Sequence, residues 1–307
     1  ACFFWRMKHI LEFIKNLYEN KYKQLLIIPI LLLMLALGQL VYQQVTTGSY
    51  LTKDISLKGG ATLNLMKPME GISPEELTQL LESSFPDAEF NVRTLEENGV
   101  RVGFIIETTL LGEDTTRLLK VIESKVGTLK EEDYSIDITS PSLGESFFRE
   151  IIYALIIAFV LMGTVVFIIF RVFVPSVAVI LSALSDIVVT LAIANIVGIK
   201  VSTAGLAAFL MLIGYSVDTD ILLSTHVLKR RRGNVKERIY RAMRTGFMTT
   251  GTTLVAISLA VVFTKSEVIA EIMIIVLIGL LVDLVNTWLL NAGLLRMYVE
   301  RVRGEGG

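Results

Sequence analysis

The chain has one cysteine in 307 residues, Cys2, and two histidines. A single thiol forms no intrachain disulfide, so no extracytoplasmic part is cross-linked, although this alone does not fix the compartment. No Cys, His, Asp or Glu spacing matches a metal site, and no nucleophile is set beside a base. Gly59–Gly60 is too short for a phosphate-binding loop and lacks its lysine. These absences argue against an enzyme, a metal, a cofactor and ATP. Charge is also scarce: 19% of residues are charged and 53% hydrophobic. A mean hydropathy of +0.62 excludes an ordinary soluble domain.

What is present in quantity is long apolar sequence. A membrane-spanning helix needs about 20 residues to cross ~30 Å of hydrocarbon. Six segments qualify: Gln24–Val45, Phe147–Phe170, Val174–Val197, Thr203–Leu228, Phe247–Thr264 and Ile269–Met297. The first is too long for a signal-peptide core and has no small-x-small cleavage site after it, so it reads as a retained anchor. The opening residues "ACFFWRMKHI" are set aside from the fold reading. Lys15, Lys21 and Lys23 flank the first span, "KRRRGNVKERIYRAMR" joins the fourth and fifth, and Arg296, Arg301 and Arg303 follow the sixth. The alternate loops are nearly neutral, so both termini are expected in the cytoplasm. The basic loop is read mainly as a topology signal, with a ribosome, nucleic-acid or anionic-lipid surface as the alternatives.

Residues 46–146 are polar and punctuated, and are expected to form one extracytoplasmic domain. "ATLNLM" alternates like a half-buried strand. "SPEELTQLLESSF" has the marks of a helix, with Ser73 as N-cap, Pro74 at the first position and Leu77, Leu80 and Leu81 on one face. "EFNVRTL" and "GVRVGFIIE" read as strands joined by the turn "EENG"; a helix ending at Gly127 and the strand "YSIDITSP" follow. The order βαββαβ predicts a ferredoxin-like α+β domain. The expected organisation is therefore a cytoplasmic segment 1–23, a helix 24–45, the domain 46–146, a five-helix bundle 147–298 and a tail 299–307.

The most informative residues are acids inside the apolar spans. A carboxylate at mid-span costs roughly 2.5–3.5 kcal/mol on insertion scales, and such groups mark ion pathways. In "MLIGYSVDTDILLSTHVLKRRR", Asp218 falls near the middle of the fourth span and Asp220 nearer the cytoplasm. Two residues on a helix differ by about 200°, so both cannot face one cavity unless the helix breaks, for which Gly214 offers a place. Ser182, Asp186 and Thr190 form a polar stripe at four-residue spacing in the third span, and Gly279, Asp283 and Thr287 do so in the sixth, flanked by Asn286 and Asn291. In the fifth, "RTGFMTTGTTL" supplies Thr249 and Thr252 and predicts close helix approach around Gly251, with Arg244 just cytoplasmic of it. His226 reads as an interfacial residue. With ATP excluded, the energy source is an ion gradient, worth ~2.3 kcal/mol per charge per 100 mV.

These residues resemble the SecF family, the accessory subunits that act with SecD beside the Sec protein-conducting channel, within the wider RND superfamily. "LKGGATLNL", with Gly59 and Gly60, is similar to the family's outer-domain element, "GYSVDTDIL" to its fourth-span signature, and "RTGFMTTGTTL" to its fifth-span motif. The plan of one span, an outer domain and five more spans also matches, from about Tyr22 to Met297. Two departures point to the archaeal form. "ISLKGG" lacks the acid of the bacterial Gly-x-Asp-Phe-x-Gly-Gly run, and Asp218-Thr219-Asp220 stands where bacteria have Asn-Asp-Thr. The acid has moved one position either way, which leaves both aspartates as candidates.

The resemblance implies a multi-pass protein of a prokaryotic plasma membrane whose partners are a SecD-like chain, SecYEG-type channel subunits, the emerging polypeptide and membrane lipids, without nucleic acid. It implies that Asp218 or Asp220 takes up protons, with Arg244 as cationic counterpart, and that the outer domain prevents backsliding. The alternatives are an RND-type small-molecule exporter, disfavoured by the single small outer domain, and a scaffold that uses no protons. An intramembrane aspartyl protease using Asp186 with Asp218 would lack its Gly-x-Gly-Asp motif.

Overall fold

The structure is a computed structural model that describes residues 18, 20–67, 72–97, 100–230, 233–264 and 266–304. A short helical turn, Tyr22–Leu25, leads into α1 (Ile27–Thr47), and a second turn, Ile55–Lys58, leads into β1 (Gly60–Leu65). Then come α2 (Pro74–Ser84), β2 (Phe90–Glu97), β3 (Val100–Thr108), α3 (Glu113–Val126) and β4 (Tyr134–Thr139). The rest is helical: α4 (Pro141–Phe170), α5 (Phe173–Val197), α6 (Thr203–Leu228), α7 (Val235–Phe263), α8 (Glu267–Val285), a π-wound turn (Asn286–Asn291) and α9 (Ala292–Arg303). The chain divides into two compact units, Lys53–Ile151 and the remainder. The opening decapeptide, Lys15 and the turn residues Asn98 and Gly99 lie outside the described residues.

In the smaller unit the four strands form one antiparallel sheet in the order β2-β3-β1-β4. Period-two alternation puts Leu63, Leu65, Phe104 and Ile106 on one face, fully buried, where Leu77 and Leu81 of α2 and Leu118 and Ile122 of α3 cover them. Helix α2 starts where its sequence predicts. The Ser73 hydroxyl accepts from the Glu76 N–H at 3.1 Å, and the Glu76 carboxylate accepts from the Ser73 N–H at 3.2 Å. The Gly-Gly element is a matter of space. Gly59 has φ +81°, and a Cβ there would stand 2.5 Å from Pro141 Cα; at Gly60 it would stand 2.0 Å from the Thr108 carbonyl oxygen. Neither position admits a side chain without moving backbone.

Among the described residues six helices are long and apolar enough to cross a membrane: Tyr22–Thr47, Pro141–Phe170, Phe173–Val197, Thr203–Leu228, Val235–Phe263 and Val268–Val302. The second begins six residues before its apolar run, since "PSLGES" is already helical. The fifth starts well before the predicted Phe247. Most of the basic stretch is not loop: Asn234 caps α7, its side chain accepting from the Glu237 N–H at 2.9 Å. This carries Arg238, only 2% exposed, back under α6, where it donates to the Val227 and Arg230 carbonyls at 2.9 and 3.1 Å. One arginine of the run thus satisfies carbonyls at a helix end.

Helix α6 runs unbroken through Gly214 and packs against α5, α7 and α8. At the other end of α5, Asn195 fixes the chain leaving α1: its amide donates to the Tyr50 carbonyl at 2.9 Å and its Oδ1 accepts from the Thr52 N–H at 3.1 Å. The Val201 N–H donates to the Thr52 carbonyl at 2.7 Å, completing the tether.

Candidate functional site

Because α6 is regular, Asp218 and Asp220 part company. Asp220 is 0% exposed at the centre of the bundle, whereas Asp218 lies on its outer surface. Asp220 is joined by the mid-span acids of the neighbouring stripes, Asp186 from α5 and Asp283 from α8, each likewise 0% exposed. The four-residue spacing that aligned Ser182, Asp186 and Thr190, all fully buried, turned that stripe inward.

The three carboxyls share a small set of donors. Ser216, one turn before Asp220 on α6, donates to Asp186 Oδ2 at 2.5 Å. Asn286 Nδ2 stands 2.7 Å from Asp186 Oδ1 and 3.0 Å from the Ser185 hydroxyl. Asn291 Nδ2 donates to Asp220 Oδ1 at 2.7 Å. The Thr287 hydroxyl lies 3.0 Å from Asp220 Oδ1 and 2.9 Å from Asp283 Oδ1. A hydroxyl carries one proton and can donate to only one of these oxygens. The other contact becomes a hydrogen bond only when Asp220 or Asp283 itself carries a proton. Asp220 Oδ2 and Asp283 Oδ2 are buried without a hydrogen-bond partner among the described residues, and no lysine or arginine is bonded to the cluster there. Such a set of oxygens can hold protons in variable number.

The remaining predicted residues lie elsewhere. Asp218, Arg244, Thr249 and Thr252 are exposed on α6 and α7. Asp218 is ten residues from the end of α6 and Arg244 nine from the start of α7, so on these packed helices they stand at similar depth, about 15 Å from the connecting loop. No ion pair joins them among the described residues. Thr249 and Thr252 point their hydroxyls back to backbone carbonyls of their own helix. The tightly packed glycine is Gly246 instead of Gly251: a Cβ on Gly246 would be 2.4 Å from the Trp288 ring, while nothing lies within 4 Å at Gly251. His226 is buried and its Nδ1 donates to the Leu222 carbonyl at 2.9 Å.

Two polar sites escaped the sequence reading. Asn195 is one. The other is Glu271 on α8, which accepts from the Ser202 N–H at 2.8 Å and hydroxyl at 2.7 Å at the start of α6. Neither belongs to a periodic stripe; an acid in an apolar span was the available signal for Glu271. Among the described residues no group of acids, histidines or cysteines has the arrangement of a metal site.

Residues 119–301 match the family described as "Protein export membrane protein SecD/SecF, C-terminal". The chain is 39% identical over 289 residues to the protein-export membrane protein SecF of Methanolacinia petrolearia, covering 93% of this chain and 96% of that one. It is 34% identical over 296 residues to SecF of Pyrococcus furiosus, covering 96% and 97%. Among solved structures it is similar to SecDF, a translocon-associated membrane protein from Thermus thermophilus, with a TM-score of 0.69 at 21% identity. That match covers 92% of this chain and 38% of the SecDF chain, and speaks to the fold.

Proposed function

The chain belongs to the SecF family of protein-export membrane proteins, and from that premise we propose that it is an accessory subunit that uses the proton gradient to promote export, together with a SecD-like chain. The observation that carries the proton reading is the buried trio Asp186, Asp220 and Asp283, whose shared donors leave room for protons. Of the two candidates in the fourth span, Asp220 is the proton-carrying group. Asp218 and Arg244 serve the surface: charges exposed at this depth are costly in lipid, and a partner helix that covers them removes the cost. A SecD-like chain is the partner assigned to that face, and Sec channel subunits and the emerging polypeptide complete the assembly.

The six apolar helices span the membrane with both termini in the cytoplasm, in keeping with the basic residues of the α6–α7 connection and the tail. The unit containing the sheet is a ferredoxin-like domain on the opposite side, a reading its strand order supports. Proton binding changes which donors Asp220 engages, and with them the packing of α5, α6 and α8. Movement of that packing is the step passed to the outer domain, which holds the emerging chain against backsliding.

The test is export into vesicles carrying the assembled complex, with and without an imposed proton gradient. Asp220→Asn should reduce gradient-dependent stimulation at least tenfold while the partner chain still co-purifies. Asp218→Asn should leave most of it. Full stimulation by Asp220→Asn would overturn the assignment, and stimulation unaffected by dissipating the gradient would favour a scaffold.

A further inference from the structure

The sixth span reaches two aspartates at once because it changes winding. Residues Asn286–Asn291 form a π-wound turn, in which the backbone bonds from i to i+5. In an α-helix, residues five apart differ by about 140° in direction and could not both meet the cluster. Here they stand one turn apart on one face, so Asn286 reaches Asp186 and Asn291 reaches Asp220, each at 2.7 Å. Thr287, beside Asn286, reaches Asp220 as well.

The opposite side of the same turn is gripped by the segment before the first span. Tyr18 Oη donates to the Trp288 carbonyl at 2.9 Å. The Trp288 indole stacks on Phe247, ring centres 5.7 Å apart, and leaves no room for a Cβ at Gly246. Arg296 fixes Tyr18 in turn, its Nη1 donating to the Tyr18 carbonyl at 3.3 Å while its guanidinium lies 3.9 Å over the Tyr22 ring. Tyr22 Oη donates to Glu300 at 2.6 Å, and Arg296 Nε donates to the same carboxylate at 2.8 Å. The cavity left among these side chains is about 10 Å³, room for one water at most. Burial, and secondarily the neighbouring Tyr240, hold the Tyr18 phenol above its ordinary range, so it stays a donor at working pH.

We propose that Tyr18 is a positioning residue for the aspartate cluster: by holding the Trp288 carbonyl it keeps the turn π-wound, and thereby keeps Asn286 on Asp186 and Asn291 on Asp220 at the same time. The proposal rests on the reading of Asp220 as the proton-carrying group. The titratable groups that face Asp220 are Asp186 from α5 and Asp283 from α8; Tyr18 acts only through the backbone of the sixth span.

Trp5 and Trp288 are the chain's two tryptophans, so Trp5→Phe leaves Trp288 as the sole reporter. In that background the purified chain, in vesicles, should show a change in Trp288 emission on acidification that disappears in Asp220→Asn. Tyr18→Phe, which keeps the ring and removes only the hydroxyl, should reduce that change at least threefold and gradient-driven export about fivefold, with complex yield unchanged. Tyr22→Phe breaks the bond to Glu300 on the same segment without touching Trp288, and should leave both readouts at the parent level. Parent-like emission and export in Tyr18→Phe would overturn the proposal. So would an equal loss in Tyr22→Phe, because the segment would then be an anchor only. Normal export in Asp220→Asn would refute the proton reading instead, and the emission of Tyr18→Phe would still report whether Tyr18 sets the turn.

Discussion

Asp218 and Asp220 carry the same carboxyl group and differ by about 200° around one helix, and that rotation decides what each costs. Replacing Asp220 by an isosteric apolar residue strands the Asn291 amide, at roughly 1–3 kcal/mol for a buried group left unpaired, while Thr287 keeps its contact with Asp283. Asp218 is exposed and has no such side-chain partner among the described residues. In detergent, Asp220→Leu should therefore lower the thermal midpoint of the chain by several degrees, whereas Asp218→Asn should leave it unchanged or raise it. Equal losses would show that both side chains are packed. Glycines make the same comparison along α7. Gly246→Ala pushes a methyl into Trp288 and should cost about 1–3 kcal/mol, as overpacking does, while Gly251→Ala meets open space and should be near neutral. The acids were legible in the sequence because a charge inside an apolar run is visible without a structure. Which of two neighbours faces inward was not, because Gly214 made a helix break equally consistent with it. Tyr18 and Trp288 were invisible for a different reason: a π-wound turn interrupts the 3.6-residue period on which the reading of the sixth span depended.

Elements follow their end signals more faithfully than their hydrophobicity. Ser73, Pro74 and Glu76 fixed the start of α2, and Gly127, with φ +82°, the end of α3. Asn234-Val235-Lys236-Glu237 carries a similar start signal, yet the surrounding basic run obscured it, because a run of like charge reads as loop before its caps are considered. Ser73→Ala removes one half of the capping box and should destabilise the sheet-bearing unit by about 1 kcal/mol. Hydrogen exchange on the intact protein would show this as faster exchange at α2 with the membrane helices unaffected. The Asn195 tether makes a second claim at this scale. One side-chain amide holds both a carbonyl and an N–H of the chain between α1 and the sheet-bearing unit, leaving the backbone at Tyr50 and Thr52 little freedom. Asn195→Ala should open this connection, seen as new protease cleavage between Gly48 and Lys53. An unchanged digestion pattern would mean that the Val201–Thr52 bond alone suffices.

The surface of the membrane unit is apolar over most of its helices, as lipid requires. Ile156, Ile157, Val160 and Leu161 on α4 and Val255, Leu259 and Val262 on α7 are all exposed. Against that background the outward face of α6 and α7 is an exception, with Asp218, Arg244, Thr249 and Thr252 exposed beside Tyr215 and Met248. Coulomb attraction between two unit charges is worth several kcal/mol at short range in a medium of effective dielectric ~20, and far less when water surrounds them. A neighbouring helix that excludes lipid from Asp218 and Arg244 and offers them partners therefore gains more at this face than at any purely apolar one. The α4 face offers only contacts that lipid tails provide equally well. This predicts where the SecD-like chain sits. A photocrosslinking residue placed at Asp218 or Thr252 should capture that chain from native membranes in high yield, and one placed at Ile157 should capture lipid or nothing. If Ile157 gave the stronger protein crosslink, the partner would lie along α4, and the exposed charges of α6 and α7 would need a different occupant, such as the channel itself. A charge reversal separates these two outcomes further. Arg244→Glu should weaken co-purification of the partner when made alone and recover it in part when a lysine replaces the partner's facing acid, and no such rescue is expected if lipid headgroups reach this depth.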